Sequence, residues 1–323
     1  MNRALILAAV PGVMGAILAA AIAFGGPTPL APLPSVNDPF KSVDFSGLPP
    51  IETFAARDGT QLGYRRYGQP NNSALGSVVL VHGSAARSNS MHPLARHLAA
   101  RGYVVYALDM RGHGDSGQRG QIGYIGQLED DLQDFVKARQ PMGRKTLVGF
   151  SAGGGFALRF AADSRRKLFD DYLLLAPFLG QSASTYRPGS GGWASVGMAR
   201  IAGLLVLNQF GITGLNHLPV VAYAVTPEAK KFLTPSYSYA LSQNFRPHHD
   251  YQSEIARASQ PMEVLVGAND EQFYAERYAA EFRSASHPVN VSIIPNTGHI
   301  DLTLSPTAIE ATTQALERLR HGS

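Results

Sequence analysis

A mostly parallel α/β sheet with helices on both faces is the fold class this sequence predicts, on three observations. Short apolar runs of the buried-strand kind alternate with helix-spaced segments from Ser77 onward. Among 323 residues, 33 glycines and 21 prolines suggest many tight loops. Three of the apolar runs end in Ser151, Asp270 and His299, and chemistry in such sheets gathers at the carboxyl ends of strands.

The elements justify this in order. Met1-Asn2-Arg3 is followed by an uncharged, alanine-rich stretch, Ala4 to Phe24. As a helix it would reach roughly 31 Å, enough to cross a bilayer. It is long for a secretory signal, yet Ala19-Ala20-Ala21 and Ala21-Ile22-Ala23 both offer small-x-small cleavage sites. Residues 1–24 therefore read as a signal peptide or an N-terminal membrane anchor, with Arg3 inside and the rest exported: to the inner membrane, the periplasm or the medium if the source is bacterial. Residues 25–50 hold seven prolines and read as an extended linker.

The folded domain then spans 51–320. Ile51–Arg57 and Gln61–Tyr67 flank Asp58-Gly59 and predict an antiparallel hairpin. Ser77–Val81 is a buried strand ending in His82-Gly83-Ser84. Met91, Leu94 and Leu98 share one helical face, stopped by Gly102. Tyr103–Met110 is the next strand, leading into Asp109-Met-Arg-Gly-His-Gly-Asp-Ser116. Ile125, Leu128, Leu132, Phe135 and Val136 keep helical spacing. Strands follow at Thr146–Val148, Tyr172–Pro177, Met262–Val266 and Val291–Pro295. Tyr274, Tyr278 and Phe282 mark a helix between the last two; Ile309, Leu316 and Leu319 mark the final helix. The alternation is interrupted from about 179 to 250, and an insertion of that length is expected to be a functional lid. Its apolar stretch from Ile201 to Phe210, with Trp193, Val196 and Met198, is expected to line a pocket.

Composition excludes several classes. The formal charge of +4, with no basic run, argues against nucleic acid. The chain has no cysteine, which removes disulfides, thiolate metal sites and a cysteine nucleophile. The histidines lack the helical pairing with carboxylates that a metal site uses, so neither metal nor cofactor is called for.

Gly149-Phe150-Ser151-Ala152-Gly153 matches G-x-S-x-G between a strand and an alanine-rich helix. A serine on so sharp a turn needs small neighbours, and the new helix's N-terminus favours developing negative charge. A serine hydroxyl needs a base within hydrogen-bond reach, and that base needs an acid to hold its tautomer. His299, in Asn296-Thr-Gly-His299, is the candidate base. Asp270, in Gly267-Ala-Asn-Asp270, is the candidate acid, with adjacent Glu271 the alternative.

On these residues the chain resembles the α/β-hydrolase superfamily. Its Asp109–Ser116 stretch is most similar to the monoglyceride lipase, lysophospholipase and serine-aminopeptidase-like branch. The resemblance implies an α/β-hydrolase fold over roughly 51–320 with an inserted lid. It also implies oxyanion-hole N–H groups from Ser84 and Ala152. Gly154 and Gly155 lengthen the usual elbow. The implied activity is a serine esterase cleaving monoacylglycerol- or lysophospholipid-like esters through an acyl-enzyme. The implied substrate is a small-molecule or lipid ester, with membrane contact through residues 1–24 or the lid. An aminopeptidase of the same fold, or a non-catalytic pocket receptor, are the alternatives; oligomeric state is open.

Overall fold

The computed structural model describes residues 3–33, 38–70, 73–189 and 192–322, without the side chains of 3–11 and 38–39. The chain opens with helix α1 (Arg3–Phe24) and a proline-rich stretch containing a 3-10 turn at Asp38–Ser42. Strands β1 (Glu52–Ala55) and β2 (Gln61–Tyr67) pair antiparallel around Asp58-Gly59. Then come β3 (Ser77–Val81), α2 (His92–Ala100), β4 (Val104–Leu108), α3 (Gln127–Arg139), β5 (Lys145–Phe150), α4 (Ala152–Ala161) and β6 (Asp171–Leu175). An insertion follows, holding β7 (Ala194–Val196), α5 (Met198–Gln209), β8 (Pro219–Tyr223), β9 (Ser236–Ser238) and α6 (Tyr239–Asn244). The main layer resumes with α7 (Tyr251–Arg257), β10 (Met262–Gly267), α8 (Tyr278–Glu281), β11 (Asn290–Ile294), α9 (Asp301–Leu304) and α10 (Pro306–His321).

The main sheet runs β1-β2-β4-β3-β5-β6-β10-β11, parallel from β4 to β11 and antiparallel at β1 and β2. Every residue of β3, β4, β6 and β10 is buried, as strands covered on both faces must be. Register brings Phe150, Leu175 and Leu265 level, with Gly267 beside Ile294, so the chain leaves β5, β10 and β11 on one edge. That edge holds the site.

Two expectations are corrected. The helix expected across Tyr274 to Phe282 is three short pieces, a 3-10 turn at Ala275–Arg277, α8, and a second 3-10 turn at Phe282–Ser284. The apolar stretch of the insertion divides its contacts. Trp193, Val196 and Ile201 line the central cavity. Leu204 instead packs with Leu18 and Ile22 of α1 and with Val220 and Tyr239. Met198, Leu205, Val206 and Phe210 stay exposed on the outside. A Cβ at Gly203 would come within 2.7 Å of Ile22 Cγ1, so the missing side chain is what seats α1 on α5. The Arg200 guanidinium completes the joint, donating to the carbonyls of Ile22 (2.7 Å), Ala23 (2.8 Å) and Pro219 (2.8 Å). A cation at the C-terminal carbonyls of α1 is where the helix dipole favours one.

Candidate active site

Ser151 sits between β5 and α4 with φ 55° and ψ −118°, a region that residues with a Cβ seldom occupy. Its backbone is tied on both sides: its N–H donates to the Leu175 carbonyl and its carbonyl accepts from Phe178 N–H, each at 2.9 Å. The glycines are there for close approach. A Cβ on Gly149 would collide with the Gly153 carbonyl, and one on Gly153 with the His82 carbonyl. Gly155 likewise faces the Phe178 carbonyl, and Gly154 the Cα of Pro177 at 2.9 Å. The longer glycine run thus lets the start of α4 lie directly against the chain leaving β6.

The three expected groups meet. His299 Nε2 lies 3.0 Å from Ser151 Oγ, and its Nδ1 lies 2.8 Å from Asp270 Oδ2. The other oxygen of Asp270 accepts the N–H groups of Gln272 (2.8 Å) and Phe273 (2.9 Å), so this buried carboxylate is saturated. Glu271 is not placed as an alternative acid. Its Oε2 accepts the backbone N–H of His299 at 3.0 Å, which holds the histidine's loop and not its ring. Phe150 and Phe273 flank the His299 ring at centroid distances of 4.8 and 5.1 Å.

Ser84 and Ala152 line the same cavity as Ser151 and His299. His82 explains how the Ser84 amide is aimed. Its Nε2 accepts Met110 N–H at 3.2 Å, so the proton sits on Nδ1, which donates to the Gly83 carbonyl at 2.8 Å. That carbonyl belongs to the peptide carrying the Ser84 N–H, and a trans peptide points the N–H the opposite way. Burial pushes the His82 and His113 pKa values down, so both rings are neutral.

The Asp109–Ser116 stretch is a support. Asp109 accepts the N–H groups of Ser88 (2.7 Å) and Asp115 (2.9 Å), and Ser116 Oγ donates to the Asp109 carbonyl at 2.6 Å. Arg111 forks onto Asp131 at 2.8 and 2.7 Å. Sequence reading missed Tyr223 and Tyr237 of the insertion, which line the cavity beside Ser84. They belong to no motif, and nothing in their spacing marks them.

The cavity encloses about 750 Å³. Its walls include Phe178, Tyr186, Trp193, Val221, Phe232 and Phe273. Lys41, Arg87, Arg246, Glu228 and Glu271 also contribute to its lining. Among the described residues no cluster of histidines and carboxylates is arranged to hold a metal ion.

The architecture and the Ser151–His299–Asp270 arrangement define an α/β-hydrolase. The chain belongs to the hydrolase family described as serine aminopeptidase, S33, whose model matches residues 72–300. It is 34% identical over 116 residues to the monoacylglycerol lipase of Mycolicibacterium smegmatis, a match covering 34% of this chain and 40% of that one. The chain thus spans well under two thirds of that relative. Two solved structures share the fold. The monoacylglycerol lipase of Paleococcus ferrophilus aligns with a TM-score of 0.60 at 21% identity, over 81% of this chain and 99% of that one. A bacterial membrane phospholipase A aligns at 0.59 and 18%, over 98% and 97%.

Proposed function

We propose that this protein is a serine hydrolase that cleaves carboxylic esters of lipid type through an acyl-enzyme. One observation carries the reading: a serine, a histidine and an aspartate in hydrogen-bonded series open onto a large, aromatic-walled cavity. Ser151 Oγ attacks the ester carbonyl carbon while His299 Nε2 takes its proton. The C–O bond breaks, and the alcohol leaves with that proton. Water then enters, and its oxygen bonds to the acyl carbon as His299 Nε2 takes its proton. The Ser151 Oγ–acyl bond breaks, His299 returns the proton to Oγ, and the acid leaves. Asp270 holds the Nδ1–H tautomer and faces the imidazolium that forms. The Ser84 and Ala152 amides stabilise the oxyanion, and losing one such donor typically costs about 10²–10³ in rate.

Monoacylglycerol- and lysophospholipid-like esters fit the walls, and the relatives named above point to the same class. Arg246 favours the member carrying an anionic headgroup. It lies on the lining, its bond is to the Pro247 carbonyl at 3.3 Å, and no carboxylate among the described residues pairs with it. Burial lowers its pKa, a cost that an anionic ligand would relieve. The aminopeptidase reading has the family's description behind it. It needs carboxylates free to meet an ammonium, and one of the two lining the cavity, Glu271, is committed to the His299 backbone.

The test is fluorophosphonate labelling followed by a chain-length series of monoacyl esters beside aminoacyl arylamides. Labelling at Ser151 and efficiency rising with chain length are expected. Faster arylamide cleavage, or a flat series, overturns the lipid-ester reading.

Residues 1–24 are proposed to direct export and to stay attached as an anchor. Cutting after Ala21 would remove Leu18 from the joint, and cutting after Ala23 would also remove Ile22 and the Ile22 and Ala23 carbonyls that Arg200 binds. The described side chains of α1 begin at Gly12, and among the described residues no helix is long and apolar enough to cross a membrane. Cell fractionation with sequencing of the mature N-terminus decides it: a mature chain starting near Phe24 rules out the anchor.

A further inference from the structure

Ala85, next to the candidate oxyanion residue, is fully buried and held at φ 62°, in the left-handed region that a Cβ disfavours by roughly 1–2 kcal/mol. Two bonds hold it there, and both come from the insertion. Its N–H donates to the Tyr237 hydroxyl at 2.6 Å, and its carbonyl accepts Thr234 N–H at 2.8 Å.

The Tyr237 hydroxyl is itself fixed. It lies 2.6 Å from His113 Nε2. His113 Nδ1 faces only carbonyls, those of Met110 (3.3 Å) and Arg111 (3.2 Å), so it carries the ring proton and leaves Nε2 as an acceptor. The single phenolic proton of Tyr237 therefore goes to His113, and its oxygen is left to accept from Ala85. Tyr223 of β8 stands beside Tyr237, the two rings edge-on at 4.9 Å, and lines the cavity with Ser84. The peptide carrying the Ser84 N–H is thus set by His82 from the sheet, and the next peptide is set by Tyr237 from the insertion.

We propose that Tyr237 is a positioning residue for the oxyanion hole: through the Ala85 amide it fixes the Ser84 backbone, so that turnover depends on how the insertion is seated on the sheet. The proposal rests on the serine-hydrolase reading above. It makes the insertion part of the catalytic machinery's support as well as a wall of the cavity. Tyr237 touches no reacting atom in this scheme. Its effect belongs to the transition state, because only there does the carbonyl oxygen bear the charge that the amide must meet.

The experiment is Tyr237→Phe, which keeps the ring between His113 and Tyr223 and removes only the hydroxyl. Rates are expressed per active site titrated with fluorophosphonate, on a soluble short-chain ester. The expected result is a fall in kcat of about ten- to a hundred-fold, a fraction of what loss of a whole donor costs. KM stays within about two-fold, and affinity for a trifluoromethyl ketone that forms a tetrahedral oxyanion with Ser151 falls in parallel with kcat/KM. Tyr223→Phe, at the ring behind Tyr237 and without a bond to the Ala85 amide, gives a smaller loss of the same kind. A kcat unchanged within two-fold overturns the proposal. So does a loss confined to KM, which would make Tyr237 a substrate wall, or a loss of melting temperature with kcat per titrated site intact. Wild-type protein beside Ser151→Ala separates the two readings. If wild type resists the fluorophosphonate, or Ser151→Ala keeps its activity, the serine-hydrolase reading fails first. If both behave as expected and Tyr237→Phe is silent, only the present proposal falls.

Discussion

The strand ends that carry Ser151, Asp270 and His299 and the insertion that roofs them are held together by different means. At the strand ends backbone meets backbone at close quarters. Ser151 N–H meets the Leu175 carbonyl, Asn269 N–H meets the Thr297 carbonyl at 3.0 Å, and a Cβ at Gly267 would strike that same carbonyl. The insertion has backbone ties too, such as Thr234 N–H on the Ala85 carbonyl, and adds side chains acting over long sequence distances: Tyr237 on Ala85, Arg200 on α1, and Asn244 Nδ2 on Glu129 Oε2 at 2.6 Å. Backbone ties demand particular residues at particular spacings. Side-chain ties demand only that two groups meet, which many sequences satisfy. The first region is accordingly the more constrained in its residue types.

The comparison breaks most readily at its constrained end. Ser151→Ala removes the proposed nucleophile, and kcat on a p-nitrophenyl ester should fall by about 10⁶, with the melting temperature unchanged. Near wild-type turnover by the folded variant would show that the strand-end geometry is not the catalytic site. Asp270→Asn comes next. The amide disfavours the Nδ1–H tautomer of His299, and a loss of about 10⁴ in kcat is expected. Glu271→Gln keeps an acceptor for the His299 backbone N–H and should lose no more than about ten-fold; equal losses at the two positions would reassign the acid.

How much of this was legible in the sequence follows from the same distinction. Gly149, Gly153, Ser151 and the order Ser, Asp, His were readable because elbow geometry admits few residues. The strands were readable because burial on both faces leaves a continuous apolar run, as in β3 after Ser77 and β6 after Asp171. The insertion's strands were not readable. They are three to five residues long, and none of the three is buried throughout. Its apolar helix was recognised, but which face went where was not, since α5 divides its apolar residues among the cavity, α1 and the outside.

Smaller effects sharpen the comparison from the insertion's side. Arg246→Gln should reduce kcat/KM for a lysophospholipid several-fold while leaving the matching monoacylglycerol nearly unchanged, as expected if a cavity cation meets an anionic headgroup. Equal effects on both would detach Arg246 from headgroup recognition. Smallest in activity is Arg200→Ala. Losing three partly exposed bonds to carbonyls should cost about 1 kcal/mol, read as a lower melting temperature and faster proteolysis after Phe24. Hydrolysis of a short soluble ester should be unaffected. Unchanged proteolysis would show that α1 is held by its apolar contacts alone.

By itself the sequence determined the sheet, the elbow and the strand ends that carry Ser151, the Asp270-Glu271 pair and His299, because uniformly buried strands and close backbone approach each permit few side chains. It also determined that a long apolar segment begins the chain. Only the tertiary structure decided that Glu271 holds a backbone amide while Asp270 holds the imidazole, since both carboxylates occupy the same strand end and differ in direction alone. Only the tertiary structure brought Tyr237 onto Ala85, 152 positions away, and the end of α1 onto Arg200. A contact between distant residues leaves no mark in the spacing of either, which is why the insertion's part in the site had to be seen in three dimensions.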